Sequence, residues 1–203
     1  MFSNFGRKLL AAPLSKIVPL LQATGVTPNG LTIIGFLLTV GIAIVLALGY
    51  FLAGGILLIF AALFDTLDGA LARQTGQVSK FGAFFDSTMD RFSEGSVLIG
   101  LMYYYAAGGS QIEVVLLGVA LLGSLMVSYT RARAEGLDIE CKGGLLQRTE
   151  RVILLVAGLI TGWMLPMLWL LAIFTNVTAV QRIVEVYKRV QASQEDPPTN
   201  PAN

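Results

Sequence analysis

Long apolar stretches separated by short polar turns dominate the pattern of this 203-residue chain. Six of these stretches are long enough for a membrane-crossing helix, which takes about 20 residues. The predicted helices cover approximately residues 31–50, 52–73, 81–106, 112–133, 145–161 and 164–189. Short turns containing glycine or proline join the helices in pairs, so each pair is predicted to form an antiparallel hairpin. The pattern therefore predicts an all-α integral membrane protein with six transmembrane helices in residues 25–190.

The two ends of the chain differ from this pattern. Residues 1–24 repeat apolar positions at helical spacing beside polar ones, which predicts an amphipathic helix lying on the membrane surface. Its apolar face would consist of Phe2, Phe5, Leu9, Ala12 and Ile17. Residues 191–203 are polar and contain several prolines, which is typical of a disordered tail.

The 14 lysines and arginines all lie at or toward one end of the predicted helices, the end that both termini share. Glu113 is the only charged residue near the opposite ends. Cytoplasmic loops of membrane proteins carry an excess of Lys and Arg. We therefore expect both termini to lie in the cytoplasm and the chain to reside in the plasma membrane.

Composition restricts the chemistry that this chain can perform. Its net charge of +1 lacks the basic excess required for electrostatic binding of nucleic acid. It contains no histidine and one cysteine, Cys141, which excludes histidine catalysis, histidine-ligated zinc and an internal disulfide. Catalysis would therefore use carboxylates, Lys or Arg, hydroxyls, or metal ions with oxygen ligands.

Four aspartates lie inside the predicted helices, where ionisable side chains are costly and usually functional. Asp65 and Asp68 are three residues apart, and Asp86 and Asp90 are four apart. Either spacing places both side chains of a pair on one helix face, and antiparallel packing brings the pairs to a similar depth. Four carboxylates in a low-dielectric site require neutralisation, and oxygen ligands suit Mg²⁺, Mn²⁺ or Ca²⁺.

Small residues and an arginine accompany these acids. Gly69 and Gly82 leave space for a helix or a ligand to approach the backbone closely. Arg73 follows Asp68 by about one helical turn and is suited to bind a phosphate. This combination favours a metal-bound diphosphate over two alternatives, structural ion pairs with Arg73 and Arg91 and a path for cation transport.

The pattern D-x2-D-G-x2-A-R-x8-G-x3-D-x3-D, from Asp65 to Asp90, resembles the signature of the CDP-alcohol phosphotransferase family at every position. Thr27-Pro28-Asn29 and Thr32 resemble another recurring element of that family. The likeness covers roughly residues 20–190. It implies a homodimeric membrane enzyme that transfers a substituted phosphate from a CDP-linked donor, CDP-diacylglycerol, to an alcohol and releases CMP.

The resemblance also implies roles for individual residues. Asp65, Asp68, Asp86 and Asp90 would bind two Mg²⁺ ions, with Mn²⁺ as the alternative metal. Asp90 would complete this metal site or serve as general base toward the acceptor hydroxyl. The donor pocket would consist of Asn29, Asp68, Gly69, Ala72, Arg73 and Gly82.

A second group of cations indicates an acceptor that itself carries a phosphate. Arg182 lies inside the predicted sixth helix, where it requires a partner such as Glu150 or a bound anion. Arginines that converge from three helices would bind a phosphate through paired hydrogen bonds. The predicted set is Arg131, Arg133, Arg148, Arg151 and Arg182.

The segments that carry these arginines restrict the resemblance to one branch of the family. Residues 128–135, 143–144, 148–151 and 181–182 resemble the branch of the family whose acceptor is inositol phosphate. Arg131 departs from that branch, which usually has lysine there, so charge is kept while hydrogen-bond geometry differs. Glycerol 3-phosphate is the alternative acceptor, and an archaeal ether lipid is the alternative donor.

Overall fold

The computed structural model of the protein describes residues 19, 22, 25–141 and 143–195, and the side chains of all of these except residues 193–195. This part of the chain forms six α-helices and no strands. They are α1 (Pro28–Ala47), α2 (Phe51–Thr75), α3 (Lys80–Ala107), α4 (Gln111–Glu135), α5 (Arg148–Thr161) and α6 (Met164–Glu195). The all-α class and the six helices are thereby confirmed. The amphipathic helix predicted for residues 1–24 falls almost entirely outside the described residues.

The first helix starts three residues earlier than expected because its N-terminus is capped. The Thr27 hydroxyl accepts a hydrogen bond from the Gly30 N–H at 3.1 Å. Pro28 follows at the first helical position, where its fixed φ and missing N–H cost nothing. The Thr27-Pro28-Asn29 element therefore defines where α1 begins.

The last two helices also differ from the predicted boundaries. α5 begins at Arg148 instead of residue 145, because the preceding residues form a loop bound to α6. α6 continues to Glu195, which corrects both its predicted end at residue 189 and the predicted start of the tail at residue 191.

Close approach of helix backbones organises the bundle, in which α4 packs most extensively on α6 and α1 on α3. A side chain at Gly100 of α3 would collide with the backbone of Ala43 in α1. A side chain at Gly123 of α4 would collide with Thr175 of α6. Small residues allow such contacts, which stabilise helix pairs in membranes by van der Waals packing. Gly123 of α4 thus serves packing within this chain.

Four helices, α1, α2, α4 and α6, are long and apolar enough to cross a membrane, judged by length and composition in the described part of the chain. α3 has 28 residues, but acidic and basic side chains occupy its first half. α5 has 14 residues. It is therefore about 21 Å long, shorter than a bilayer core of about 30 Å.

Exposed aromatic side chains lie near both ends of the bundle. Tyr50, Tyr103 and Trp163 are exposed at the ends that lack Lys and Arg. Tyr129 and Tyr187 are exposed near the ends that carry the cations. Tyrosine and tryptophan concentrate at the two membrane–water interfaces, so this distribution is typical of a membrane-embedded bundle.

Candidate active site

Three of the predicted aspartates converge where the second half of α2 faces the start of α3. Asp65, Asp68 and Asp86 each offer a carboxylate oxygen that lies within 4.8 Å of the other two. Asp68 is buried, and its Oδ2 accepts a hydrogen bond from the Thr32 hydroxyl of α1 at 2.8 Å. Its Oδ1 accepts one from the Gly69 N–H at 2.5 Å. Converging carboxylate oxygens are the ligands that Mg²⁺ and Mn²⁺ prefer, so these residues fit a divalent cation.

Asp90 lies one turn beyond Asp86 on α3 and is held by arginines. Nη1 of Arg148, the first residue of α5, lies 2.7 Å from Asp90 Oδ2 and 2.8 Å from Asp65 Oδ2. Nη2 of Arg91 lies 3.4 Å from the same Asp90 oxygen. Asp90 also interacts electrostatically with Asp65 and Asp86. One arginine therefore joins acidic residues of α2 and α3, and the fourth aspartate lies near Asp65 and Asp86.

The predicted donor-pocket residues lie beside these acids. A Cβ at Gly82 would lie 3.4 Å from the Asn29 Oδ1, so the glycine lets α1 and α3 approach at this point. A Cβ at Gly69 would lie 3.2 Å from Nη1 of Arg73, whose side chain is exposed at the end of α2. Ala72 is partly buried on the same helix. The motif thus produces a surface with small residues next to charged ones.

Arg151 is buried, and each of its guanidinium nitrogens has a partner. Its Nε and Nη2 bind the two carboxylate oxygens of Glu94 on α3 at 2.6 and 2.8 Å. Its Nη1 donates to the Leu146 carbonyl at 3.4 Å. Such a bidentate pair neutralises both charges inside the bundle. Arg148 and Arg151 therefore connect two successive turns of α5 to two successive turns of α3.

Arg182 is also buried, and its partners differ from the expected ones. Its Nε donates to the Gly143 carbonyl at 2.9 Å, and its Nη1 donates to the Val127 carbonyl of α4. Backbone carbonyls therefore take the place of Glu150, which was the expected acidic partner. Oε2 of Glu150 is itself buried without a hydrogen-bond partner among the described residues.

The remaining predicted acceptor arginines lie at the exposed end of α4. Nε of Arg131 pairs with Glu135 one turn later, at 2.8 Å. Arg133 is exposed. Arg182 interacts electrostatically with Arg131 of α4 and Arg151 of α5, so arginines of three helices lie near one another.

A cavity of about 80 Å³ connects the acidic and the basic groups. Its charged lining includes Asp65 and Asp90 together with Arg148 and Arg151. Its apolar lining includes Leu58, Leu98 and Leu155. A compartment with this lining can hold a polar reacting group next to an apolar one.

Two contacts of this site are absent from the sequence-based prediction. The bond from Thr32 to Asp68 joins helices α1 and α2, and Glu94 neutralises Arg151. Glu94 follows Asp90 by four residues and so shares its helix face, a signal that the sequence does contain. The side chain that it meets depends on which helix packs there.

The chain belongs to the CDP-alcohol phosphatidyltransferase family, whose sequence profile matches residues 25–187. It is therefore a transferase enzyme of phospholipid synthesis, which confirms the class expected from the aspartate motif. The cation-transport alternative is not supported by this membership.

Individual members of the family show which enzymes this chain is similar to. Archaetidylinositol phosphate synthase of Pyrococcus horikoshii is 40% identical over 186 residues, covering 91% of this chain and 96% of that protein. Phosphatidylinositol phosphate synthase of Mycobacteroides abscessus is 36% identical over 199 residues, covering 97% and 90%.

Solved structures show the same fold. The crystal structure of Mycobacterium tuberculosis phosphatidylinositol phosphate synthase with CDP-DAG bound matches with a TM-score of 0.81 and 33% identity, covering 86% of this chain and 93% of that one. The structure of that enzyme in complex with manganese and citrate matches with a TM-score of 0.79 and 32% identity, covering 86% and 88%.

Proposed function

We propose that this enzyme transfers the phosphatidyl group of CDP-diacylglycerol to a hydroxyl of inositol phosphate, giving phosphatidylinositol phosphate and CMP. The observation that carries the proposal is the position of Arg148, an arginine of the acceptor set in direct contact with Asp65 and Asp90 of the donor motif. The names of the two curated relatives differ in the lipid and share the inositol phosphate, which supports the acceptor.

On the donor side, Asp65, Asp68, Asp86 and Asp90 hold two Mg²⁺ ions. The convergence of three of these carboxylates and the manganese bound to a similar enzyme support a divalent cation here. When bound, such ions neutralise the charge of the diphosphate and of the transition state. Arg73 and the neighbouring small residues bind the cytidine and the diphosphate. These residues are Asn29, Gly69, Ala72 and Gly82.

Asp90 acts as the general base. The acceptor hydroxyl oxygen forms a bond to the donor phosphorus next to the lipid, the bond from that phosphorus to the CMP oxygen breaks, and CMP leaves. Asp90 takes the hydroxyl proton. Both arginine contacts of Asp90 involve Oδ2, which leaves Oδ1 outside these ion pairs. Arg148 keeps the carboxylate directed toward the cavity.

The acceptor phosphate binds in the electropositive region formed by α4, α5 and α6. Arg131 and Arg133 are exposed and can contact an incoming anion. Arg148 lines the cavity together with Asp65 and Asp90, next to the reacting groups. Arg182 contributes positive charge from a buried position, because its partners are neutral carbonyls, whereas Glu94 offsets the charge of Arg151 behind this region. A set of guanidinium groups around one anion selects a phosphorylated acceptor over a neutral one.

We also propose that all six helices cross the plasma membrane, the 14-residue α5 by local thinning of the bilayer, with the termini and the active site on the cytoplasmic side, and that the enzyme is a homodimer. The positions of the Lys and Arg residues at one end of the bundle support this orientation. Water-soluble CDP and inositol phosphate groups would then reach the site from the cytoplasm, while the acyl chains remain in the bilayer.

An acceptor panel tests the proposal. The purified enzyme in nanodiscs, with CDP-diacylglycerol and Mg²⁺, is given inositol phosphate, glycerol 3-phosphate, inositol or serine, and CMP release is measured. We expect the largest kcat/KM with inositol phosphate. A larger value with glycerol 3-phosphate would assign the alternative acceptor. A parallel series with a CDP-linked archaeal ether lipid identifies the donor.

A further inference from the structure

Four side chains on one face of α6 bind the loop that leads into α5. This set, here called the α6 ladder, consists of Thr178, Gln181, Arg182 and Glu185. Their spacing of three, four and seven residues from the first member places them on the same side of the helix. The loop comprises residues 143–147 and carries no regular structure that would satisfy its own backbone.

Three side chains of the ladder accept hydrogen bonds from backbone N–H groups of this loop. The Leu146 N–H donates to the Thr178 hydroxyl at 3.0 Å, and the Leu145 N–H donates to Gln181 Oε1 at 3.1 Å. The Gly143 N–H donates to a carboxylate oxygen of Glu185 at 2.9 Å. The Leu146 N–H is buried, where an unpaired N–H is costly, so its bond to Thr178 holds the loop in place, and the two other bonds add to this.

The two glycines of the loop allow it to lie directly on α6. A Cβ at Gly143 would collide with the Glu185 carboxylate. Gly144 has φ +131°, a conformation that favours glycine, and a Cβ there would contact the Thr178 methyl carbon at 2.6 Å. The distance between the loop backbone and the ladder is therefore set by these glycines.

The loop in turn determines where the first arginine of α5 lies. Leu146 is buried, and its carbonyl accepts a hydrogen bond from Arg151. Arg148 follows two residues later, at the first position of α5, and contacts Asp65 and Asp90. A shift of the loop along α6 would move the guanidinium of Arg148 relative to both carboxylates.

We propose that Thr178 and Gln181 are positioning residues, which act through the loop to place Arg148 for binding the acceptor. This inference rests on the proposed function for the identity of the acceptor. Neither side chain needs to touch a substrate for this role. Misplacement of a binding group by about 1 Å can reduce turnover about 100-fold, so the loop contacts would affect the reaction strongly.

Thr178→Val tests the role of the hydroxyl, because valine has nearly the same shape and removes the acceptor of the Leu146 N–H together with the hydroxyl's bond to the Phe174 carbonyl of its own helix. We expect the acceptor KM to rise about 10-fold, in line with the loss of one buried hydrogen bond, and the donor KM to stay within about twofold. Thr178→Ser should restore the acceptor KM. The matched control is Thr175→Val, since Thr175 is equally buried on α6 and its hydroxyl bonds to helix carbonyls of Leu171 and Ala172.

A double variant separates positioning from a general loss of structure. In an Arg148→Lys background, Thr178→Val should change the acceptor KM by less than about twofold, because the group that it positions is already altered. The dependence of the Thr178→Val effect on Arg148 can be measured with whichever phosphorylated acceptor supports CMP release. The test is therefore independent of the acceptor's identity. Equal effects with and without Arg148, or equal effects of Thr178→Val and Thr175→Val, would overturn the inference.

Gln181 provides a second test if Thr178→Val does not fold. Its side chain is exposed, so Gln181→Met removes the acceptor oxygen with little effect on packing, and Gln181→Glu keeps an oxygen there. We expect Gln181→Met to raise the acceptor KM and Gln181→Glu to restore it at an unchanged melting temperature. An acceptor KM unaffected by Gln181→Met would remove Gln181 from the proposed role.

Discussion

The hydrogen bond from Thr32 to Asp68 joins α1 to the aspartate group, and its removal should weaken the binding of Mg²⁺. Thr32→Val keeps the shape of the side chain and removes the hydroxyl that donates to Asp68 Oδ2 at 2.8 Å. Asp68 is 8% exposed, so water can replace this donor only in part. The carboxylate would then lose an interaction that holds it in the orientation required of a metal ligand.

The size of the effect follows from the charge of the acceptor. A hydrogen bond to an ionised group contributes about 1.5–3 kcal/mol. Since about 1.4 kcal/mol corresponds to a factor of ten, the affinity for Mg²⁺ should fall about 10- to 100-fold. Loss of a hydrogen-bond partner behind a metal ligand commonly reduces affinity by a similar factor of about 10 to 100. We expect the lower end of this range, because Thr32 is only partly buried.

Two measurements check this prediction. The Mg²⁺ concentration for half-maximal CMP release should rise about 10-fold in Thr32→Val, and Mg²⁺ should raise the melting temperature of this variant less than that of the wild type. Thr32→Ser should behave like the wild type.

The control is Thr39→Val on the same helix. Thr32 also donates to the carbonyl four residues earlier, and Thr39 makes the same kind of bond, to the Gly35 carbonyl at 2.9 Å. Thr39→Val therefore removes the intrahelical bond alone. An Mg²⁺ requirement that is unchanged in Thr32→Val, or raised equally in Thr39→Val, would refute the role of the bond to Asp68.

Three further variants test the site and the fold. Asp90→Asn should abolish CMP release while a titration still detects binding of the CDP-linked donor; full activity would exclude Asp90 as base or ligand. Arg182→Ala should raise the acceptor KM far more than the donor KM in steady-state kinetics, and an unchanged acceptor KM would remove Arg182 from the acceptor site. Gly123→Ala should destabilise the bundle by about 1–3 kcal/mol through overpacking against Thr175, seen as a lower melting temperature. Gly118→Ala is the control, because its Cβ would make an ordinary 3.6 Å contact; equal melting temperatures of the two variants would contradict the packing argument.

Local sequence signals determined most of the helical architecture. Apolar length and turn residues predicted six helices, and the structure contains them with shifts at the ends. The shifts at the starts of α1 and α5 have specific causes, namely the Thr27 cap and the bound loop before α5. Capping and loop binding involve single side chains and carbonyls, whereas hydrophobic periodicity averages over several turns and cannot resolve them.

The aspartate motif was also predictable, since helical spacing places Asp65 with Asp68 and Asp86 with Asp90, and a short turn between α2 and α3 brings the pairs together. The partners of the arginines required the tertiary structure. Arg148 meets Asp65 across 83 positions, and Arg151 meets Glu94 across 57. Spacing along one helix identifies the face on which a side chain lies, but the packing of the bundle decides which helix covers that face.

The sequence by itself therefore determined the helices and the acidic motif, because each depends on neighbours within a few turns. The tertiary structure alone decided that Arg182 binds carbonyls instead of Glu150 and that α6 holds the loop before Arg148. A buried donor takes the nearest acceptor that packing provides, and a backbone carbonyl or amide is present at every residue. Backbone partners of this kind therefore cannot be predicted from the amino-acid sequence.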